Sequence, residues 1–443
     1  MGIQLSDHFT YPRLLRFVLP SIVMMIFTSI YGVIDGLFVS NFVGKTAFAA
    51  INLILPFPMA LGALGYMIGT GGSALIAKFL GEGKQDQARQ CFSMLIVSTV
   101  LVSLLLSLCG ILFTRPIALL LGATEALLGD CVLYGWLLFA ALTPFMLQNV
   151  FQSFFITAEK PNLGLATTVA AGLTNIGLDY LFIQVLGWGV MGAALATGLS
   201  QTVGATIPLL FFARKNGTSL CLVRFRWNWT ALVKTCTNGS SELMSNLSLS
   251  LVNMLYNFQL LRLAGADGVA AYGVIMYVNF IFTAIFFGYA IGSAPIISFH
   301  YGAGHEAELR NLFRKSILLT AFSSIGLTLL SIRSAPFLSG IFVGYDPELF
   351  DLTCHAFQLY SLSFLLSGMN IFGSSFFTAL NNGLISAAIS FLRTLLFQVV
   401  MVLLLPALWG LDGIWLAVFA AELLALAFTV TFFVRERKRY HYA

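Results

Sequence analysis

Apolar runs of twenty residues and more recur from Leu14 to Val434, with almost no charge inside them. About 20 apolar residues span a bilayer as a helix. Lipid offers no partner to a backbone N–H or C=O, so only helices and closed barrels cross it. A barrel would show segments of about ten residues alternating apolar and polar. These runs are continuous and longer, which excludes one. Charged residues make up 9% of the chain, against about 25% in a soluble protein. The expected fold is an all-α integral membrane protein. The polar stretch before Leu14 and the long run after it argue against a cleavable signal peptide.

Twelve spans are expected, at about 13–39, 47–78, 89–113, 132–157, 163–186, 190–213, 236–264, 269–300, 311–332, 351–379, 384–406 and 411–434. Of 23 Lys and Arg residues, Lys45, Arg115, Arg262 and Arg333 fall on one side of this scheme, and Arg393 lies within a span. All the others fall on the side of the N-terminus. The excess of base marks that side as cytoplasmic, so both termini are expected there. The net charge of +5 is this bias and calls for no nucleic-acid partner.

The chain also repeats itself after 221 residues. Gly81-Glu82-Gly83 with Arg89 returns as Gly302-Ala303-Gly304 with Arg310, Asn149-Val150-Phe151 as Asn370-Ile371-Phe372, and Trp188-Gly189 as Trp409-Gly410. Six spans in each half put both halves in the same sense across the membrane. They form two six-helix bundles related by a pseudo-twofold axis along the membrane normal. The first covers 1–213 and the second 236–443. The polar stretch 214–235 is read as a cytoplasmic linker, either an ordinary basic loop or a short interfacial helix around Arg224 to Trp229.

Pro20, Asp35, the Gly81-Glu82-Gly83 turn with Arg89, Asn175-Ile176-Gly177-Leu178-Asp179 and Gly192-Ala193-Ala194-Leu195-Ala196-Thr197 together resemble the multidrug and toxic compound extrusion (MATE) family, in its bacterial DinF- and MepA-like branch. The resemblance implies a multi-pass protein of the bacterial inner membrane. It would be a secondary antiporter that exports organic, often cationic, compounds in exchange for Na⁺ or H⁺, the sequence not choosing between the two.

Asp35 and Asp179 stand in apolar surroundings, and at the repeat offset they become Tyr256 and Val400. A carboxylate costs about 3 kcal/mol at the centre of a span, so two in one half point to a proton or sodium switch. Asn175 lies four residues before Asp179, on the same helix face, and Thr197 adds a hydroxyl. Carboxylate, amide and hydroxyl oxygens suit Na⁺. In the family, positions matching Asp35, Asn175, Asp179 and Thr197 line the cation site.

The second half offers Glu242, Asn253, Asn257 and Asn279 as a further candidate site. NorM-like members carry a cation-binding Glu in the region of Glu242, but this one also suits the N-terminal end of a helix. The acid that such members carry in the tenth span is absent here. Arg393 is the one base inside a span, with Glu422 as candidate partner. That pair is either structural or part of substrate binding and gating. Gln148, Asn149, Gln152 and Asn370 are candidates to line a central cavity.

An alternative within transport is a flippase or exporter of a lipid-linked or amphipathic metabolite, although such proteins have strongly cationic cavities. An integral-membrane enzyme is a third reading, but no histidine sits at ligand spacing from a Cys or Asp. No Walker loop is present. The six cysteines read as apolar fillers; a disulfide between Cys131 and Cys354 is the less favoured reading. No cofactor is expected beyond the coupling ion, and the partners expected are the bilayer and a small organic substrate, for a monomeric chain.

Overall fold

The computed structural model describes residues 3–442, with the side chains of Leu37, Ser40, Asn41 and Lys45 outside that description. Lys45, counted above with the outer charges, is therefore not placed. The described chain is mostly helical, in fourteen α-helices: α1 (Tyr11–Phe42), α2 (Lys45–Ile54), α3 (Pro56–Gly81), α4 (Gln85–Leu120), α5 (Glu125–Ala140), α6 (Leu142–Thr157), α7 (Pro161–Asp179), α8 (Gly189–Ala213), α9 (Trp229–Gly302), α10 (Glu306–Val343), α11 (Pro347–Ser361), α12 (Phe364–Ala379), α13 (Gly383–Phe391) and α14 (Phe397–Tyr440). Eight helices or helical runs are long and apolar enough to cross a membrane. Two bent pairs, α5–α6 and α11–α12, bring the number to ten if each is one span.

The expected boundary between the seventh and eighth spans falls inside α9, and that between the last two inside α14. In each the helix is interrupted at one glycine of positive φ, Gly265 and Gly410. Those conformations suit a residue without Cβ. Gly44 and Gly189 have positive φ at the matching places of the first half, so the repeat seen in sequence is also a repeat of backbone breaks.

Of the two readings of the linker the loop holds, and its last residues, from Trp229 on, already belong to α9. Residues 214–228 form no interfacial helix but an irregular strap held against α4. Arg89 Nε donates to Ser219 O at 3.0 Å, and the Val223 N–H donates to Ser93 Oγ at 2.9 Å. These bonds satisfy backbone groups that a helix would otherwise have to pair. All six cysteines are free thiols; Cys131 and Cys354 pack in separate apolar clusters, so no disulfide joins them.

The halves meet along α3 and α9. A Cβ at Gly71 would strike Thr235 O, one at Gly239 would strike Met67 O, and Gly81 and Gly302 are as tightly placed against Phe299 O and Lys78 O. In lipid, helices associate by close packing rather than by hydrophobic burial, so small residues let the backbones touch. Asn238 Nδ2 donates to Asn381 Oδ1 at 2.7 Å beside this seam. The N-terminal segment crosses the same end of the molecule. Leu5 N–H donates to Glu159 Oε1 at 2.8 Å, and Phe9 N–H to Glu308 Oε1 at 2.9 Å, one acid in each half.

Candidate functional site

The first half gathers its acids where α1 packs along α7. Gly172 makes that approach possible, since a Cβ there would meet the Phe27 and Tyr31 rings. Asn175 and Asp179 project from the last turn and a half of α7 and are buried, Asp179 to 0% exposure. Asp35 comes from α1 and lies within reach of both. The helix changes pitch immediately after Asp179: residues Tyr180–Val185 form a π-helical segment. Such wide turns concentrate at functional sites.

The hydrogen bonding of this cluster is incomplete. Asp35 Oδ1, Asn175 Oδ1 and both carboxylate oxygens of Asp179 are buried without a donor of good geometry among the described residues. Most buried polar atoms in proteins are bonded, and an orphaned one costs about 1–3 kcal/mol. Four acceptors without donors, three of them carboxylate oxygens, have the chemistry of a site for a proton or a hard cation. Thr197 is less free than its neighbours in this set. Its hydroxyl proton goes to Ala193 O at 3.0 Å, in its own helix, which leaves only its lone pairs to face an ion.

The second half does the opposite with its charges. Arg393 lies in a second π-helical segment, Leu392–Leu396, and its Nε donates to Glu422 Oε1 at 2.8 Å. Asn370 Nδ2 donates to Glu422 Oε2 at 2.7 Å, and Thr429 Oγ1 donates to Asn370 Oδ1 at 2.9 Å. Each oxygen of the buried Glu422 carboxylate thus has a donor.

A cavity of about 250 Å³ opens beside this network. Glu242, Arg393 and Glu422 lie on its wall together with Tyr256, Tyr272 and Tyr360, and Met25 and Tyr66 contribute from the first half. Asn253 and Asn279 also line it, Asn253 Oδ1 accepting from the Tyr272 hydroxyl at 2.8 Å. Asn257, read with them in sequence, is exposed and lines no part of this cavity. It follows Tyr256, the last residue of this stretch of α9 on the wall, and so stands just past the cavity's end, one turn beyond Asn253.

None of the four amides expected to line a central cavity lies on the wall of this one. Gln148 packs against Gly204, Asn149 and Gln152 are buried in the seams of α6, and Asn370 stands behind Glu422 as its donor. Amide residues are as serviceable for joining helices as for meeting a ligand, and spacing alone does not separate the two uses. Conversely, the cavity tyrosines and Gln398 carry no distinctive mark in the sequence. Their one sequence signal is a polar atom in an apolar run, shared with many packing residues.

A multi-pass helical chain with donorless acids in one half and a charged cavity in the other is a membrane transporter. The MatE family model matches residues 20–181 and again residues 243–404, so the chain belongs to the MATE family of multidrug efflux transporters. Among curated relatives, the multidrug export protein MepA of Staphylococcus saprophyticus is 23% identical, over 96% of this chain and 94% of its own length. MepA of Staphylococcus aureus is likewise 23% identical at the same coverage. In fold, the chain is similar to a multidrug resistance MATE family transporter solved in an outward-facing conformation. That likeness has a TM-score of 0.90 over 96% of this chain and 95% of the other, at 22% identity. These relatives are exporters and not enzymes.

Proposed function

We propose that this chain is a secondary antiporter that exports organic, often cationic, compounds in exchange for Na⁺ or H⁺. The observation that carries this reading is the set of four oxygens on Asp35, Asn175 and Asp179 that have no donor among the described residues. A carboxylate pair held away from water and from donors gains most from a bound proton or cation. That gain is what couples occupancy to conformation, because a ligand moves an equilibrium only by its differential affinity for the two states. Thr197 completes the proposed cation site with its lone pairs.

The helix α1 is the proposed link. Its outer part carries Asp35 against α7, and its inner part packs on the other half, where Gly288 and Gly292 admit Ile22, Val18 and Ser21. Pro20 interrupts the hydrogen-bond ladder at that inner part. Met25 faces the cavity, about 15 Å along the helix from Asp35 at 1.5 Å per residue. A change in charge at Asp35 acts on a helix that touches both halves and the cavity.

In this reading Gly265 and Gly410 divide α9 and α14 into two spans each, giving twelve in two bundles, 1–213 and 236–443, joined by 214–235. Both termini lie in the cytoplasm, the protein acts as a monomer in the bacterial inner membrane, and the cavity receives the substrate. The test is uptake of a fluorescent organic cation into proteoliposomes, with Na⁺ and pH gradients imposed separately. Uptake driven by one gradient and not by its absence is the expected result. Equal uptake with no gradient overturns the antiport.

A further inference from the structure

The strap between the halves carries base with no acid to answer it. No Asp or Glu occurs between Asp179 and Glu242, whereas Arg214, Lys215, Arg224 and Arg226 fall within residues 214–228. All four are exposed, and none forms an ion pair among the described residues. Bases near other helix ends do: Lys78 and Lys84 lie beside Glu82, Arg310 beside Glu306, and Arg439 beside Glu436. The strap also bears an aromatic row. The Phe225 and Trp227 rings lie 6.1 Å apart, and the Trp227 and Trp229 rings 5.4 Å apart, centre to centre. Phe225 packs against the apolar cluster that holds Phe212 and Leu220. The other end of the row is bare: Trp229 is 67% exposed, and Val233, one turn further along α9, 59%. Local bonds hold this edge in place. Asn216 Oδ1 accepts from the Thr218 N–H at 3.0 Å and from its hydroxyl at 2.9 Å, and the Asn228 N–H meets Met94 Sδ at 3.3 Å. The strap joins the last residue of α8 to the first of α9. Both helices are long and apolar enough to cross a membrane, so the strap lies at the membrane's boundary.

We propose that this edge of the strap is a docking surface for anionic phospholipid headgroups of the leaflet it borders, the cytoplasmic one in the orientation proposed above. The indole rings occupy the boundary between headgroups and acyl chains, which suits a ring with an apolar body and one N–H donor. Arg224 and Arg226 alternate with the rings along the chain and meet the phosphates. A guanidinium fork takes a phosphate through two parallel bonds. A zwitterionic headgroup offers the same phosphate but brings its own ammonium to the bases, so the strap selects for net negative charge. A soluble acidic partner would answer the bases yet leave Trp229 and Val233 against water, whereas a lipid meets both. The surface uses neither the cavity nor the coupling ion.

The experiment reads tryptophan fluorescence of the full-length protein in bilayers of phosphatidylcholine and phosphatidylglycerol, with bromine on the acyl chains of one lipid or the other. Bromine quenches an indole that it touches, so the two quenching levels report which lipid lies beside the rings. The share of the signal from Trp227 and Trp229 is the difference from Trp227→Phe with Trp229→Phe. That share is expected to be quenched with about fivefold preference for phosphatidylglycerol. Arg224→Gln with Arg226→Gln is expected to bring the preference to within about twofold, while Arg224→Lys with Arg226→Lys keeps most of it. Salt at about 0.5 M should weaken it in the wild type, because exposed charges are screened. Equal quenching by the two lipids overturns the proposal, and so does a preference that survives in the glutamine variant or at high salt. Loss of the preference when glycerol phosphate is added in solution would assign the bases to a free phosphate and overturn the lipid surface. The salt and glycerol phosphate measurements use the wild type, so the test stands even if a variant fails to reconstitute.

Discussion

The two halves repeat one fold and treat buried charge in opposite ways. In the first half, the Asp35, Asn175 and Asp179 cluster leaves four oxygens without donors among the described residues. In the second, Glu422 is saturated by Arg393 and Asn370, and Asn370 in turn by Thr429. The same physics yields two outcomes. A buried carboxylate must be compensated, and compensation by fixed protein groups is permanent, whereas compensation by a proton or Na⁺ can come and go. In the proposed reading the first half is thus the switch, and the second a fixed electrostatic wall.

The comparison breaks most readily at Asp35 and Asp179. Asp35→Asn is expected to abolish gradient-driven export, with the protein still folded in membranes, because the amide keeps the shape of the carboxyl but cannot take up a proton or balance a cation. A fall in uptake of at least about a hundredfold, equivalent to about 2.7 kcal/mol, is the expected reading. Full resistance in cells expressing the variant at normal levels would sink the switch.

The fixed wall should fail in stability before it fails in transport. Losing either Arg393 or Glu422 alone leaves an uncompensated buried charge, a loss of about 3–5 kcal/mol. Removing both should cost less than the sum of the single losses. A double-mutant cycle on thermal unfolding in detergent measures the coupling. Additive losses would mean that the 2.8 Å contact contributes nothing and that the two halves do not differ in this way.

Glu242 tests the boundary between switch and wall. It has no protein partner among the described residues, like the first-half acids, but it lies on the cavity with a base opposite. Glu242→Gln is expected to keep the maximal uptake rate within about threefold of wild type at saturating substrate, far milder than Asp179→Asn. A more damaging Glu242 variant, compared at equal expression, would move the coupling site into the second half.

The smallest effect is expected at the N-terminal segment that bridges the halves. Partial burial pushes the Glu308 carboxyl up, but the Phe9 N–H, His8 and Asn311 outweigh it and hold its pKa below the usual value. A group depressed in the folded state adds stability above its unfolded pKa and loses it as pH falls through the folded one. Wild type should therefore lose this contribution on acidification below the ordinary carboxylate range, and Glu308→Gln should not. Thermal unfolding across that range measures it; parallel pH profiles for the two proteins would show that the bridge contributes nothing.

Helical class, the repeat and the acids of the first half were legible in the residues themselves. Each rests on a property that travels along the chain: run length, an offset between matching motifs, and the cost of a carboxylate in an apolar run. The break glycines are also sequence features, but only the backbone shows that Gly44 and Gly265, or Gly189 and Gly410, adopt positive φ at matching places. Which polar residues face a cavity was decided by tertiary structure alone. Gln148, Asn149, Gln152 and Asn370 looked as exposed to a substrate as Asn253 and Asn279, and Asn257 looked as useful as either. All seven are amides in apolar helices, and an amide bonds equally well to a neighbouring helix, to a carboxylate or to a ligand. What separates them is the direction in which each helix face points once α6, α9 and α12 have packed. That direction is set by helix contacts far apart in sequence. The saturation of Glu422 and the bareness of Asp179 are of the same kind: the residue type states the need for a partner, and only the packed neighbours determine whether the protein supplies it.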